Sequence, residues 1–381
     1  MQILRNFPAL YFSVVLCTIG YGISFPLLAI NLETMGISGT LFGVNAAMPA
    51  LGWIIGSIWF VKLQTRFGIR PLLIGFLLVA ALSMIAFSLT HEFWTWTALR
   101  FLFGGSLGLF FRGIEFCIND MSISTKRGRN IGIYSFFFMF GLAIGATLQP
   151  TLGTDKGFVF YLVSAFLAAT IIIISVGSFK PASNKGSKTG KVNWRLILIV
   201  PVAPLAVLTY GFYEDVPAYL LSVYSLRNGM PENIAALSLT ATAIGNMIFP
   251  IPFGMLSDRL GRYPIMLACS VGTLALTACI PFTLENQNLF LGVIVVWAGF
   301  ASSLYLLGLS LIGDHFEDTE LASANITFGV FYAVGSLIGP LINGAALDTL
   351  QSHGLMVSVG AILALFIVVA SSLLITRRAH A

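Results

Sequence analysis

Apolar runs about as long as a bilayer is thick return twelve times along this chain. A helix crossing the hydrocarbon core needs about 20 mostly apolar residues. Windows of that kind fall at 7–31, 40–62, 71–90, 94–117, 131–152, 157–178, 196–224, 233–256, 264–283, 289–312, 323–347 and 354–375. Hydrocarbon offers the backbone no water, so each run must satisfy its own N–H and C=O groups, and a helix does so. Composition excludes the soluble alternative: 57% of the residues are hydrophobic and 9% charged, where a soluble domain carries roughly 25% charged. The 38 glycines suit close helix–helix approach in lipid. Cys17, Cys117, Cys269 and Cys279 sit in apolar stretches at irregular spacing, which suggests neither a disulfide frame nor a metal site. A basic start before an apolar run is also how a signal peptide begins. Here the run after Arg5 continues to about Ile30 without a small-x-small cleavage pattern, so it reads as a retained first span.

The longest polar connection runs from Phe179 to Arg195 and is rich in Lys, Ser, Gly and Asn. That composition marks a solvated linker. It divides the chain into a six-span bundle at 1–178, a linker at 179–195 and a second six-span bundle at 196–381. Basic residues set the orientation, because cytoplasmic loops hold the excess of Lys and Arg. With both termini in the cytoplasm, Lys156 and Arg227 fall outside, Arg100 and Arg112 lie within the fourth span, and the other sixteen of 20 fall inside. One missed span would invert half the loops and destroy that bias. The halves also repeat. Leu256-Ser257-Asp258-Arg259-Leu260-Gly261-Arg262-Tyr263-Pro264 answers Leu63-Gln64-Thr65-Arg66-Phe67-Gly68-Ile69-Arg70-Pro71 at an offset of 193. Gly141-x-x-x-Gly145 answers Gly335-x-x-x-Gly339 at 194. Tyr21-Gly22 before Pro26 answers Tyr210-Gly211 before Pro217, with two extra residues in the seventh span. Halves related in this way place a substrate site at mid-membrane.

Gly254-x-x-x-Asp258-Arg259-x-Gly261-Arg262 resembles the cytoplasmic-loop signature of the major facilitator superfamily. The first-half copy departs from it, with Val61 for the leading Gly and Thr65 for the Asp, and keeps Arg66. Arg100-x-x-x-Gly104 is similar to the family's fourth-helix motif. Together with Glu115, Lys126-Arg127-Gly128-Arg129, Tyr134, Asn325 and Gly335-Ser336-Leu337-Ile338-Gly339-Pro340, it resembles the YcaD-like branch. The resemblance implies an all-α membrane fold of 12 transmembrane helices in two pseudo-symmetric six-helix bundles. It assigns gating to Asp258, Arg259, Gly261, Arg262 and Arg66. Drug/proton antiporters of the family carry a Gly-Pro-rich signature in the fifth span. This chain has Gly145-Ala146-Thr147-Leu148-Gln149-Pro150 there, which weighs against that label.

Charges at membrane depth are functional hypotheses by default. At about 100° per residue, Arg100, Glu115 and Arg112 fall near 0°, 60° and 120° around the fourth span, with Asn119 on the same arc. Arg112 and Glu115, three apart, can pair. Glu115 is the expected proton carrier, with Arg112 and Arg100 as its partners; a permanent Arg112–Glu115 pair that only fixes packing is the alternative. Glu214 and Asp215 stand beside Gly211 and Pro217, which are tolerated at depth where helices line a cavity. A cation, a proton or a charged group of the substrate is expected there; the alternative is a solvated place near the outer interface. The two-residue excess makes a local bulge plausible. Asn119, Tyr134, Tyr210 and Tyr305 complete the expected substrate set. Trp94 and Trp96 read as an interfacial belt.

The chain is therefore expected to be a proton-coupled transporter of a small organic solute, amphipathic or aromatic in part, working by alternating access. It is expected in a bacterial inner membrane, multi-pass and monomeric, without cofactor, metal, nucleic-acid partner or enzymatic role. No Gly-x-x-x-x-Gly-Lys-Ser/Thr loop is present, so energy must come from gradients. The alternatives are multidrug or siderophore-type transport on the same fold, a uniporter in which Glu115 is structural, and a non-transporting membrane sensor.

Overall fold

Twelve helical rods carry the twelve apolar runs in a computed structural model, which describes residues 7–122, 127–153, 157–177, 194, 199–350 and 353–379. The first six are α1 (Phe7–Thr34), α2 (Gly39–Phe67), α3 (Ile69–Leu89), α4 (Phe93–Met121), α5 (Arg127–Leu152) and α6 (Phe158–Val176). In the second half, α7 is one rod in three pieces: Val202–Asp215, a π-helical turn Val216–Leu220, and Leu221–Arg227. Then follow α8 (Glu232–Ile248 with Pro250–Leu260), α9 (Arg262–Cys279), α10 (Gln287–His315), α11 (Asp318–Thr349) and α12 (Gly354–Ala379). Eleven rods are long and apolar enough to cross a membrane as continuous helices; α7 is the one the π-helical turn divides. The linker at 179–195 lies outside the described residues, Trp194 excepted.

Several rods outrun their apolar windows. The 29 residues of α2, α4 and α10 make about 44 Å of helix at 1.5 Å per residue, enough to reach through both headgroup layers. Caps finish the ends. Glu92 accepts from the N–H groups of Trp94 and Thr95 at the start of α4, and these bonds with the Thr95 hydroxyl hold its carboxyl below the usual carboxylate range. Large apolar side chains such as Phe12, Leu82, Ile172 and Val368 stay exposed, as a lipid-facing surface requires.

Contacts divide the chain into two units, Met1–Thr34 with Val44–Lys185 and Met35–Gly43 with Gly186–Ala381. In the first, α1 lies along α5 and against α6, and α3 packs between α4 and α6. In the second, α7 lies along α11, and α9 packs between α10 and α12. The internal packing is thus repeated. The turns repeat as well: Gly36 and Gly229, and Gly68 and Gly261, are 193 residues apart and all adopt positive φ (69°, 81°, 82° and 95°). Only glycine takes that region without strain.

Lipid tails are as apolar as leucine, so these helices gain little from hydrophobicity and are held by close packing. Gly22 and Gly145 bring α1 and α5 into backbone contact, and Gly211 and Gly335 do the same for α7 and α11. A Cβ at Gly211 would lie 2.5 Å from the Tyr332 carbonyl oxygen. Trp96, expected at the interface, is instead core: it is 1% exposed, between Phe87 and Phe160, with its indole N–H on the Thr90 carbonyl. Two positions of helix separate it from Trp94 by about 200°, so the pair cannot share a face. Trp94 is 62% exposed.

Candidate functional site

The π-helical turn in α7 follows from Pro217. Proline has no N–H to give the Tyr213 carbonyl, and its ring crowds that carbonyl. The Val216 N–H bonds Tyr213 instead, and the Leu221 N–H reaches Val216 across five residues. The Phe212 carbonyl thereby loses its usual partner, Val216. Asn343 of α11 replaces it, its side-chain N–H donating to Phe212 O at 3.1 Å, while Ser358 of α12 holds the Asn343 amide oxygen at 2.6 Å. A break of this kind, repaired by neighbouring helices, is how irregular backbone survives at depth.

Glu214 and Asp215 stand immediately before that turn, at the midpoint of Val202–Arg227, and both are half-buried. The Tyr332 hydroxyl donates to Oε2 of Glu214. Asp215 acts electrostatically on Tyr210 and Tyr332. Around the carboxylates stands a box of rings. Tyr210 faces Tyr332 in near-parallel orientation at 6.4 Å between centroids, and Tyr305 of α10 stands 5.5 Å from Tyr210 and edge-on to Tyr332 at 6.0 Å. Phe328 packs on Tyr305 at 5.5 Å. Tyr213 is 2% exposed against Trp297 and its hydroxyl has no partner; the Ser336 hydroxyl likewise has none. Buried hydroxyls normally find a partner, so this unit holds unused hydrogen-bonding capacity near its carboxylates.

The predicted Glu214, Asp215, Tyr210 and Tyr305 thus come together. Tyr332 and Phe328 were not anticipated, although Tyr332 lies three residues before Gly335 and Phe328 a further turn back. That spacing puts them on the face that meets α7 and α10.

In the other unit, Glu115 of α4 and Tyr134 of α5 lie close enough to influence each other. Arg112 feels the Glu115 charge, but its guanidinium lies over the Phe60 ring of α2, 5.5 Å from the centroid. Among the described residues no contact ion pair joins Arg112 to Glu115. Both keep accessible surface, and Asn119 is half-buried. Arg100 is 3% exposed and lies about 22 Å along the axis from Glu115, too far to touch it. Shared angular position did not mean shared depth.

At the loop between α8 and α9, Gly261 makes the turn and Arg262 binds Asp258 at 2.5 Å, Asp314 at 3.1 Å and the Ser257 hydroxyl at 2.7 Å. Arg259 is exposed beside them. The first-half copy is built differently. The Thr65 hydroxyl bonds the Lys62 carbonyl, Arg66 lies over the Phe67 ring, and Arg70 caps α6 through the carbonyls of Ile174, Ser175 and Gly177. Among the described residues, no cluster of three His, Cys, Asp or Glu is placed to hold a metal ion.

The family model for the Major Facilitator Superfamily matches residues 10–231 and 205–381. The chain is 26% identical over 339 residues to the uncharacterized MFS-type transporter YfkF of Bacillus subtilis, covering 88% of this chain and 86% of that one. It is 24% identical over 376 residues to the quinolone resistance protein NorA of Staphylococcus aureus, covering 94% of each. Among solved structures, a mutant of the nucleoside transporter NupG superposes with a TM-score of 0.78 at 12% identity, over 97% of this chain and 99% of that one. A D-xylose–proton symporter does so at 0.72 and 16% identity, over 95% and 96%. These two likenesses speak for the fold alone.

Proposed function

The chain belongs to the major facilitator superfamily, and from that premise we propose that it is a secondary transporter of a small organic solute, coupled to protons and working by alternating access. It is a multi-pass membrane protein; the proposed setting is a bacterial inner membrane with both termini in the cytoplasm, as the basic loops favour.

One observation carries this reading. A carboxylate at the midpoint of a broken helix is held by a tyrosine hydroxyl inside a box of aromatic rings. Charge at such depth is costly, and residues kept there mark substrate or ion pathways. The rings offer flat apolar walls, and the Tyr213 and Ser336 hydroxyls are unpaired. A solute with an apolar or aromatic body and a cationic or donor group fits that chemistry. Glu214 and Asp215 bind the polar group. Glu115, under Tyr134, is the proton carrier, and the Asp258–Arg262–Asp314 cluster shapes the cytoplasmic gate.

Multidrug export is a second reading. It is favoured by a quinolone resistance protein that matches 94% of the chain, although the fifth span lacks the antiporter signature. Purified protein screened by thermal shift against metabolites, antibiotics and iron chelates at two pH values tests both, since a ligand of the folded state raises the melting temperature. A hit whose shift disappears in Glu214→Gln supports the box as its site; a full shift in that variant removes it.

A further inference from the structure

The internal repeat matches rings as well as glycines. Phe103 and Trp297, Phe111 and Tyr305, Tyr134 and Phe328, and Phe138 and Tyr332 are each 194 residues apart. Tyr21 and Tyr210 are 189 apart, and each directly precedes a glycine that touches the neighbouring helix. Aromatic residues make up 13% of the chain, so composition alone does not put rings at these five positions of both halves.

The first unit assembles its rings much as the second does. Tyr21 of α1 stands 6.0 Å from Phe103 and 6.0 Å from Phe111, both of α4. Phe111 meets Phe138 of α5 edge-on at 4.8 Å. Phe25 packs on Tyr21 at 4.3 Å, and Tyr134 on Phe138 at 6.2 Å. Phe25 and Phe103 are buried, whereas Tyr21 and Phe138 are half-buried. The rings therefore present a face and are not wholly core.

The chemistry of that face differs from the box around Glu214. Phe111 and Phe138 lack the hydroxyls that Tyr305 and Tyr332 carry. Between Gly22 and Pro26 stand Ile23, Ser24 and Phe25, with no acid, where the stretch from Gly211 to Pro217 holds Glu214 and Asp215. The carboxylate of this unit, Glu115, comes about one turn after Phe111 on α4. It is close to Tyr134, which comes about one turn before Phe138 on α5. Acid and tyrosine are thus displaced together toward the α4–α5 connection. Among Tyr21, Phe103, Phe111 and Phe138, the Tyr21 hydroxyl is the one polar side-chain group. A polar solute group buried against these rings would give up water for little in return, which costs free energy. Another aromatic ring gains both buried area and ring–ring contact. We infer that Tyr21, Phe111 and Phe138 form a second binding site, within the first unit, for an uncharged aromatic ring. It stands on the rings of this unit and not on the site proposed around Glu214.

Benzophenone is an uncharged two-ring compound that inserts into nearby C–H bonds on irradiation. It tests the site on the full-length protein in nanodiscs, with excess diphenylmethane as competitor. Adducts that the competitor removes, mapped by mass spectrometry, are expected on α1, α4 and α5 beside these residues. Phe111→Leu and Phe138→Leu each keep an apolar side chain and are expected to cut the competed labelling about tenfold, the scale of an aromatic pair. Tyr21→Leu stands in if either folds poorly. Phe111→Tyr keeps the ring and should retain the labelling; a loss equal to that of Phe111→Leu would show that the ring is not what binds. Competed labelling that is unchanged in the leucine variants, that falls instead on α7, α10 or α11, or that is absent from the wild type overturns the site. The thermal-shift screen judges the Glu214 box separately, so either reading can fail alone.

Discussion

The Tyr332 hydroxyl on α11 donates to Oε2 of Glu214 on α7, at the place where Gly211 and Gly335 let the two helices touch backbone to backbone. Neither partner works alone. Without the glycines the helices would stand apart, and without Tyr332 the half-buried carboxylate would lose this hydroxyl donor.

Tyr332→Phe keeps the ring and removes that donor. Solute affinity is expected to fall about tenfold, the usual scale for a hydrogen bond to a charged group. Glu214→Gln should go further and abolish specific uptake. Uptake by proteoliposomes under an imposed pH gradient measures both. Wild-type affinity in Tyr332→Phe would show that the hydroxyl only positions Glu214.

The Asn343 amide repairs a carbonyl that Pro217 indirectly orphans. Asn343→Leu leaves Phe212 O unsatisfied in a buried setting, while the Ser358 hydroxyl keeps the Leu355 carbonyl. A loss of about 1–2 kcal/mol is expected, given that buried unpaired groups cost about that much and helix–helix hydrogen bonds in lipid are modest. Thermal unfolding in detergent should show the drop. Pro217→Ala should restore the ladder and reduce the cost of Asn343→Leu; additivity in the double variant would break the proposed link.

Much of this was legible in the sequence. The twelve spans follow from apolar runs, and the π-helical turn from Pro217 and the two extra residues beside it. Rod ends were not legible, because an apolar window stops at the first charge while the hydrogen-bond ladder continues into the headgroups. Angular arithmetic put Arg100 with Glu115, but depth along the axis separates them. Arg112 and Glu115 have the spacing of a pair, but the Arg112 guanidinium lies over Phe60 of another helix. The bonds from the Gly39 and Thr40 N–H groups to Asp348 escaped notice because they span 309 and 308 residues, and no local pattern encodes such a contact.

Gly335 is a position where a single methyl group should matter. A Cβ there would lie 2.9 Å from the Phe212 N and closer still to the Leu208 carbonyl. Neither backbone can yield without moving α7 from α11. Gly335→Ala should lower the melting temperature by several degrees, in the range of overpacked cores, and weaken ligand binding at the tyrosine box as Tyr332 is displaced. Gly329→Ala, one and a half turns away with open space around it, is the matched control and should leave both unchanged.

Glu115 offers the sharpest division between coupling and packing. If it carries the proton, Glu115→Gln keeps the fold and the solute site but uncouples transport. Solute counterflow should persist near the wild-type rate, while uptake driven by a pH gradient disappears. Tyr134→Phe removes the hydroxyl beside Glu115 and should shift the pH profile of uptake without abolishing it. Arg112 helps to separate the alternatives. Its guanidinium is held by Phe60 as well as by the charge of Glu115, so a purely structural pair predicts that Arg112→Gln and Glu115→Gln each cost stability and that the double variant recovers it. Coupling predicts that the double variant stays uncoupled, whatever its melting temperature. Counterflow and gradient-driven uptake, measured on one preparation with thermal unfolding alongside, decide between them.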